Sequence, residues 1–368
     1  MKRLFSILLV LCMLVGVFAL TSCDKDKDSE TPTTEPVTTA APDPEPEPAP
    51  VVTASEMSKV IYDAAKSYYD KHYAVDNFDD LTLTSTETGK QTYVDQLEYK
   101  DDPTNDEEEV KTKDCTSTME STSTTTVKTK VVDKVLFVEI KKTTEQKNDG
   151  FTSDAYEIKN VKSTSRTVAT YTYAKIGENY YYIVVQENTY AEGDKTLADV
   201  EPVTTNNYYQ FKDAEEYAEA VTDLIEFFNE KSIYNSFFSM MSTVSEMLMY
   251  TETPFGALTF AKDGNTYTLG EKATSYYVND REIGVLDVYD FDVSVSYVNG
   301  KASKIENKMK MTEKGPDVDV ANDSNTTTAL AESSDLTVTL TEDTVATYTL
   351  LPYYNVSFWG ILPTGGMN

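Results

Sequence analysis

A single imidazole and a large excess of carboxylates bound the chemistry open to this chain. Its 368 residues include one histidine, His72, against 62 Asp and Glu. A histidine metal cluster is excluded, and a nucleophile triad would rest on His72 alone. His72 follows Lys71 at the end of a helical stripe, where it reads as a cation at a helix C-terminus. No two glycines stand two apart, so a dinucleotide fingerprint is absent, and no glycine pair frames a P-loop lysine or a nucleophile-elbow serine. Ser-x-x-Lys occurs once, at Ser22 and Lys25. Paired carboxylates of the glycosidase kind stay open, yet nothing singles out a pair. The residues therefore predict a protein that is not an enzyme and has no cofactor.

Two acidic stretches carry metal-like spacing. Asp24, Asp26, Asp28 and Glu35 fall at positions one, three, five and twelve of an EF-hand loop, but Ser29 stands where the sharp turn needs glycine. Asp317, Asp319, Asn322 and Asp323 follow Gly315-Pro316. Both stretches read as solvated acidic segments, so no metal is expected. The apolar residues offer more. Phe237, Met240, Met241, Val244, Met247 and Leu248 recur at helical spacing, and flexible thioethers suit a groove for a lipid or other hydrophobic ligand. The same stripe suits packing on a sheet. Tyrosine occurs 26 times and suits either sugar stacking or protein contact, so a glycan or protein partner is the second reading.

The N-terminus gives one residue a covalent role. Lys2 and Arg3 precede an uncharged run from Leu4 to Leu20, the layout of a secretory signal. Leu20-Thr21-Ser22-Cys23 resembles the lipobox of bacterial lipoproteins at all four positions. The resemblance implies cleavage after residue 22 and a lipidated Cys23, whose acyl chains hold the protein on the membrane. An uncleaved anchor would leave the rest of the chain on the same side. Positive charge stays inside, so the domain is expected on the outer face of the cytoplasmic membrane. The next 29 residues, Asp24 to Val52, hold seven of the 13 prolines and cannot bury a core. The predicted organisation is a signal at 1–22, a disordered tether at 23–52 and a folded domain at 53–368.

A net charge of −30 argues against nucleic acid, because phosphates are bound by Lys and Arg. Outside the signal and the lipobox, Cys115 is the single cysteine, so packing alone must hold the domain. Thr53 and Glu56 form a capping box, and helical stripes predict helices over about 54–73, 213–231 and 233–250. Strand-like runs include Val131 to Ile140, Val168 to Ile176 and Val285 to Val298. Gly315 to Asp335 reads as a long polar loop, with closing strands from Leu336 to Leu340 and from Val345 to Trp359. The order predicts an α+β fold. It resembles the LolA and LppX group of lipoprotein carriers in element order. That resemblance implies a large curved antiparallel sheet forming an open half-barrel, with an N-terminal helix and a mid-chain helical pair packed on one face.

Overall fold

The chain divides between Pro50 and Val51. The computed structural model describes residues 50–71, 80–230, 233–248, 258–279, 282–298, 301–314 and 319–354. Strand β1 (Val51–Thr53) leads into helix α1 (Ala54–Lys71). Thr53 and Glu56 cap that helix reciprocally: the Glu56 amide donates to Thr53 Oγ1 at 3.2 Å, and the Thr53 amide donates to Glu56 Oε2 at 2.9 Å. Five long strands and a shorter one follow: β2 (Leu81–Tyr99), β3 (Lys111–Val132), β4 (Val135–Asp154), β5 (Glu157–Ile176), β6 (Asn179–Glu192) and β7 (Val203–Phe211). Helices α2 (Ala214–Glu230) and α3 (Ile233–Leu248) interrupt the strands. Strands resume with β8 (Thr259–Asp263), β9 (Thr266–Asn279), β10 (Glu282–Val298), β11 (Lys301–Lys314) and β12 (Asp319–Ala331). A short α4 (Glu342–Val345) and β13 (Thr349–Leu350) close the described chain.

All thirteen strands join one sheet in the order β1-β8-β9-β10-β11-β12-β2-β3-β4-β5-β6-β7-β13. Neighbours are antiparallel except β13, which runs parallel to β7. The middle of the sheet is a long-range pair, with Val320 opposite Tyr93 and Ala331 opposite Thr82. Tight two-residue turns set the hairpins. Asp133-Lys134 and Ala155-Tyr156 hold positive φ at both positions, as a type I′ turn requires. Gly177 and Gly264, at φ of 61° and 55°, open the β5–β6 and β8–β9 turns.

Register separates the two faces. Leu330, Leu83, Val127, Ile140 and Tyr171 lie in one cross-strand row, and this face carries the helices. Here α1 and α3 pack Met57, Ile61 and Phe237 on Phe260, Leu269, Phe291 and Val293. Beside them α2 packs Tyr217, Val221 and Leu224 on Leu136, Val138, Tyr173, Tyr182 and Phe211. On the opposite face Val338, Leu340, Val345 and Tyr348 cover Ala174, Ile176, Tyr181 and Ile183. All three clusters sit at one end of the sheet. Beyond it the strands continue, yet between Thr84 and Tyr99 and between Lys141 and Asp154 no residue is buried. No described helix covers the sheet there; at its far end the tip of the β4–β5 hairpin meets the end of β2, where the Lys100 amide donates to the Tyr156 carbonyl at 3.1 Å, and Cys115 and Ser117 of β3 are buried. At about 3.3 Å per residue the 22-residue β3 is roughly 70 Å long, far longer than the core at its end.

The expected α+β half-barrel of the LolA and LppX kind is overturned. The chain forms a sheet-dominated fold of thirteen strands in which the helices cover only one end. The reason lies in the polar segments. Ser121-Thr122-Ser123-Thr124-Thr125-Thr126 lacks apolar alternation, yet β-branched threonine favours strands, and with water on both faces no apolar stripe is needed. The predicted loop from Gly315 to Asp335 is corrected likewise, since β12 occupies most of it. The apolar run from Val131 to Ile140 is two strands, because Asp133-Lys134 turns it back on itself. Leu336 to Leu340 is no strand; Leu336 is buried, and Val338 and Leu340 pack on the sheet from outside its ladder. Val345, predicted to start a strand, ends α4 instead.

Candidate functional site

Beyond the helices the sheet presents two faces of different chemistry, and register assigns every side chain to one of them. Past a first row of Thr328, Ser85, Thr125, Lys142, Ala169 and Gln186, three rows cross six strands. They are Thr326, Glu87, Ser123, Thr144, Thr167 and Asn188; then Ser324, Gly89, Ser121, Gln146, Ser165 and Tyr190; then Asn322, Gln91, Met119, Asn148, Ser163 and Glu192. Glu87 and Glu192 are the charged side chains in these rows. The hydroxyls and amides of the rows bond along the surface. Asn148 Nδ2 donates to Ser163 Oγ at 3.2 Å, and Gln146 Nε2 reaches Met119 Sδ at 3.2 Å. Gln186 Nε2 and Thr167 Oγ1 both donate to Asn188 Oδ1, at 3.1 and 2.9 Å. These contacts hold the amides in fixed orientations. Tyr190, at the end of the middle row, is 55% exposed.

The opposite face is charged and alternates in sign. Asp290, Lys310, Asp323, Lys90, Glu120 and Lys147 are direct cross-strand neighbours on β10, β11, β12, β2, β3 and β4. Lys90 Nζ meets Glu120 Oε1 at 2.9 Å, and that hydrogen bond holds the Glu120 carboxyl below its ordinary pKa. Two shallow depressions of about 550 and 630 Å³ lie along this ladder and share Glu120. The first adds Phe151, Asn160 and Lys162, with Asn160 Nδ2 bonded to Asp149 Oδ1 at 3.0 Å. Opposite charges facing each other across every strand pair stabilise the ladder, and charge discourages stacking of one naked sheet on another.

The sequence-predicted ligand residues fall elsewhere. Phe237, Met240 and Met241 are 0%, 6% and 4% exposed and belong to the core under α3. Val244, Met247 and Leu248 lie in the last part of α3, where side chains are outside the described residues, as are Cys23, His72 and Asp317. Asp323 stands in the charge ladder. Many tyrosines serve the core. Tyr173, Tyr182, Tyr209, Phe211 and Tyr354 form an aromatic cluster, with Tyr173 and Tyr182 centroids 4.9 Å apart. Tyr217 donates to the Leu136 carbonyl at 2.6 Å. Burial raises the pKa of Tyr173, Tyr182 and Tyr217 above the usual phenol value. Among the described residues no group of three His, Cys, Asp or Glu is placed to hold a metal ion. The polar rows were missed because Ser and Thr signal no core. Their period-two signal is the alternation of charge, as in Lys90 between Gly89 and Gln91 and Glu120 between Met119 and Ser121.

No protein family and no curated protein matches the chain. Solved structures that resemble it include the translocator domain of the autotransporter NalP from Neisseria meningitidis, 7% identical, covering 75% of this chain and 95% of that one at a TM-score of 0.19. The β-domain of the Bordetella autotransporter BrkA is 6% identical over 67% of this chain and 99% of its own, at a TM-score of 0.18. OpdL of Pseudomonas aeruginosa is 6% identical over 69% and 98%, at 0.17. Likeness at this level carries no argument about function.

Proposed function

We propose that this protein is an exported, membrane-tethered binding module without catalysis, which offers the exposed sheet beyond its helices as its working surface. The hydroxyl and amide rows carry the proposal: a chain with net charge −30 keeps a patch with two carboxylates in three rows, held in fixed geometry. Such a patch recognises by hydrogen bonding and needs no reactive group. The alternative, a hydrophobic ligand under the Met-rich helix, has less support, because Phe237, Met240 and Met241 are already packed against α1 and the sheet. Anchoring rests on Leu20-Thr21-Ser22-Cys23, and the proline-rich tether sets the domain away from the bilayer.

Anchoring and binding are tested together. Cys23→Ser should move the protein from the membrane fraction to the soluble fraction; retention in the membrane would favour an uncleaved anchor. The full-length protein in detergent should sediment with its own purified cell envelope. Replacing Ser121 and Ser165 by Asp should abolish this, and unchanged sedimentation would refute the assignment of the surface.

A further inference from the structure

We infer that the ligand of the polar rows is a neutral polysaccharide chain, lying across the strands from β2 toward Tyr190 on β6. The inference rests on the binding surface proposed above and adds the chemical class of its ligand. Three observations support it. The first is charge: 62 acidic against 32 basic residues repel acidic polymers, and the three rows hold Glu87 and Glu192 and no cation to recruit phosphate, carboxylate or a lipid headgroup, Lys142 standing outside them in the row beside the helices. The second is composition. Protein interfaces gather aromatic, Met and Arg side chains at their centres. Here the centre is Ser121, Ser123, Thr144, Gln146, Asn148 and Ser165, with Met119 as the one thioether in the rows. Planar amides and hydroxyls that both donate and accept match the hydroxyls of a sugar.

The third observation is spacing. Adjacent strands stand about 4.7–4.9 Å apart, so a row offers one hydroxyl or amide at that interval. This is close to the advance of one sugar along an extended β-linked chain. At the end of the middle row Tyr190 is exposed, and its hydroxyl reaches Glu192 Oε1 at 3.3 Å, which anchors one edge of the ring. An amphipathic ring beside a line of hydroxyls and amides provides a stacking platform for the apolar face of a sugar.

The test is co-sedimentation of the detergent-solubilised full-length protein with insoluble cellulose and mannan, alongside pectate as a charged polymer. Retention on a neutral glycan is expected, without retention on pectate. Tyr190→Ala should weaken it about tenfold, the loss of one stacking contact, and Tyr190→Trp should restore it. Asn148→Asp, which keeps shape and adds a charge, should weaken it as well. Lys90→Ala on the charged face should leave it unchanged. Circular dichroism melts confirm that each variant is folded. Retention that ignores Tyr190→Ala and Asn148→Asp overturns the inference, as does absence of retention on both neutral glycans. If the envelope still retains the protein through Ser121 and Ser165 while both neutral glycans fail, the glycan class falls and the binding surface stands. If the envelope fails too, both fall.

Discussion

Replacing Phe237 by alanine separates the packed core from a ligand-lined groove. Phe237 is fully buried, its ring centroid is 5.7 Å from that of Phe238 and 6.5 Å from that of Phe260, and it joins α3 to α1 and the sheet. Truncating such a ring loses its transfer free energy and leaves a cavity, a cost of about 3–5 kcal/mol. With a denaturant slope near 3 kcal/mol per molar urea, the midpoint should fall by roughly 1–1.7 M. The assay is urea unfolding followed by far-UV circular dichroism, paired with native mass spectrometry of the full-length protein released from detergent. The expected result is a large midpoint shift at unchanged slope, with the same mass profile for both proteins. A loss below about 1 kcal/mol, together with an apolar adduct present in the parent and missing from Phe237→Ala, would refute the packing argument and restore the groove.

Lys90→Glu places like charges opposite both Asp323 and Glu120, so the unfolding midpoint should drop in low salt. The loss should shrink near 1 M salt, where screening acts over about 3 Å. Adding Glu120→Lys should recover only the middle contact, since Asp323 and Lys147 then face like charges; full recovery or salt independence would count against the ladder. The buried phenols of Tyr173, Tyr182 and Tyr217 and the half-buried phenol of Tyr297 have raised pKa values, chiefly through desolvation. Their stabilising contribution is complete below the unfolded value of about 10 and is lost as pH climbs above it. Tyrosinate absorbance for this group should therefore appear together with loss of the sheet signal. Full ionisation near pH 10 with the sheet intact would show that they are not buried.

Legibility in the sequence followed apolar periodicity. Helices with a stripe and a cap were readable, because Thr53 with Glu56, and Asp213 with Glu216, state their own starts. The Gly177 turn was readable from residue type and loop length. The dominant feature was not. Strands of 19 to 22 residues that leave the core and continue in water have no apolar face to betray them, so the Ser/Thr segments lacked a strand-like pattern. The Asp133-Lys134 turn hid inside an apolar run because left-handed conformations there are taken by residues other than glycine. The candidate surface was hidden in the same way, since its hydroxyl and amide character emerges only when register collects alternate residues of six strands on one side.

The β12–β2 pairing also governs how the molecule is made. Strands β2 to β7 can zip in the order they emerge, each against its predecessor, while the outer edge of β2 stays open until β12 arrives. Pairing across such a separation is slow, because the loop must close before any contact rewards it. A nascent or clipped chain therefore carries an unsealed seam. Polar β2 residues such as Thr84, Thr88, Lys90 and Gln91 line that seam and make it a poor template for aggregation. The same pairing that completes the sheet thus marks where loss of the C-terminal strands would leave an incomplete half with an open, polar edge.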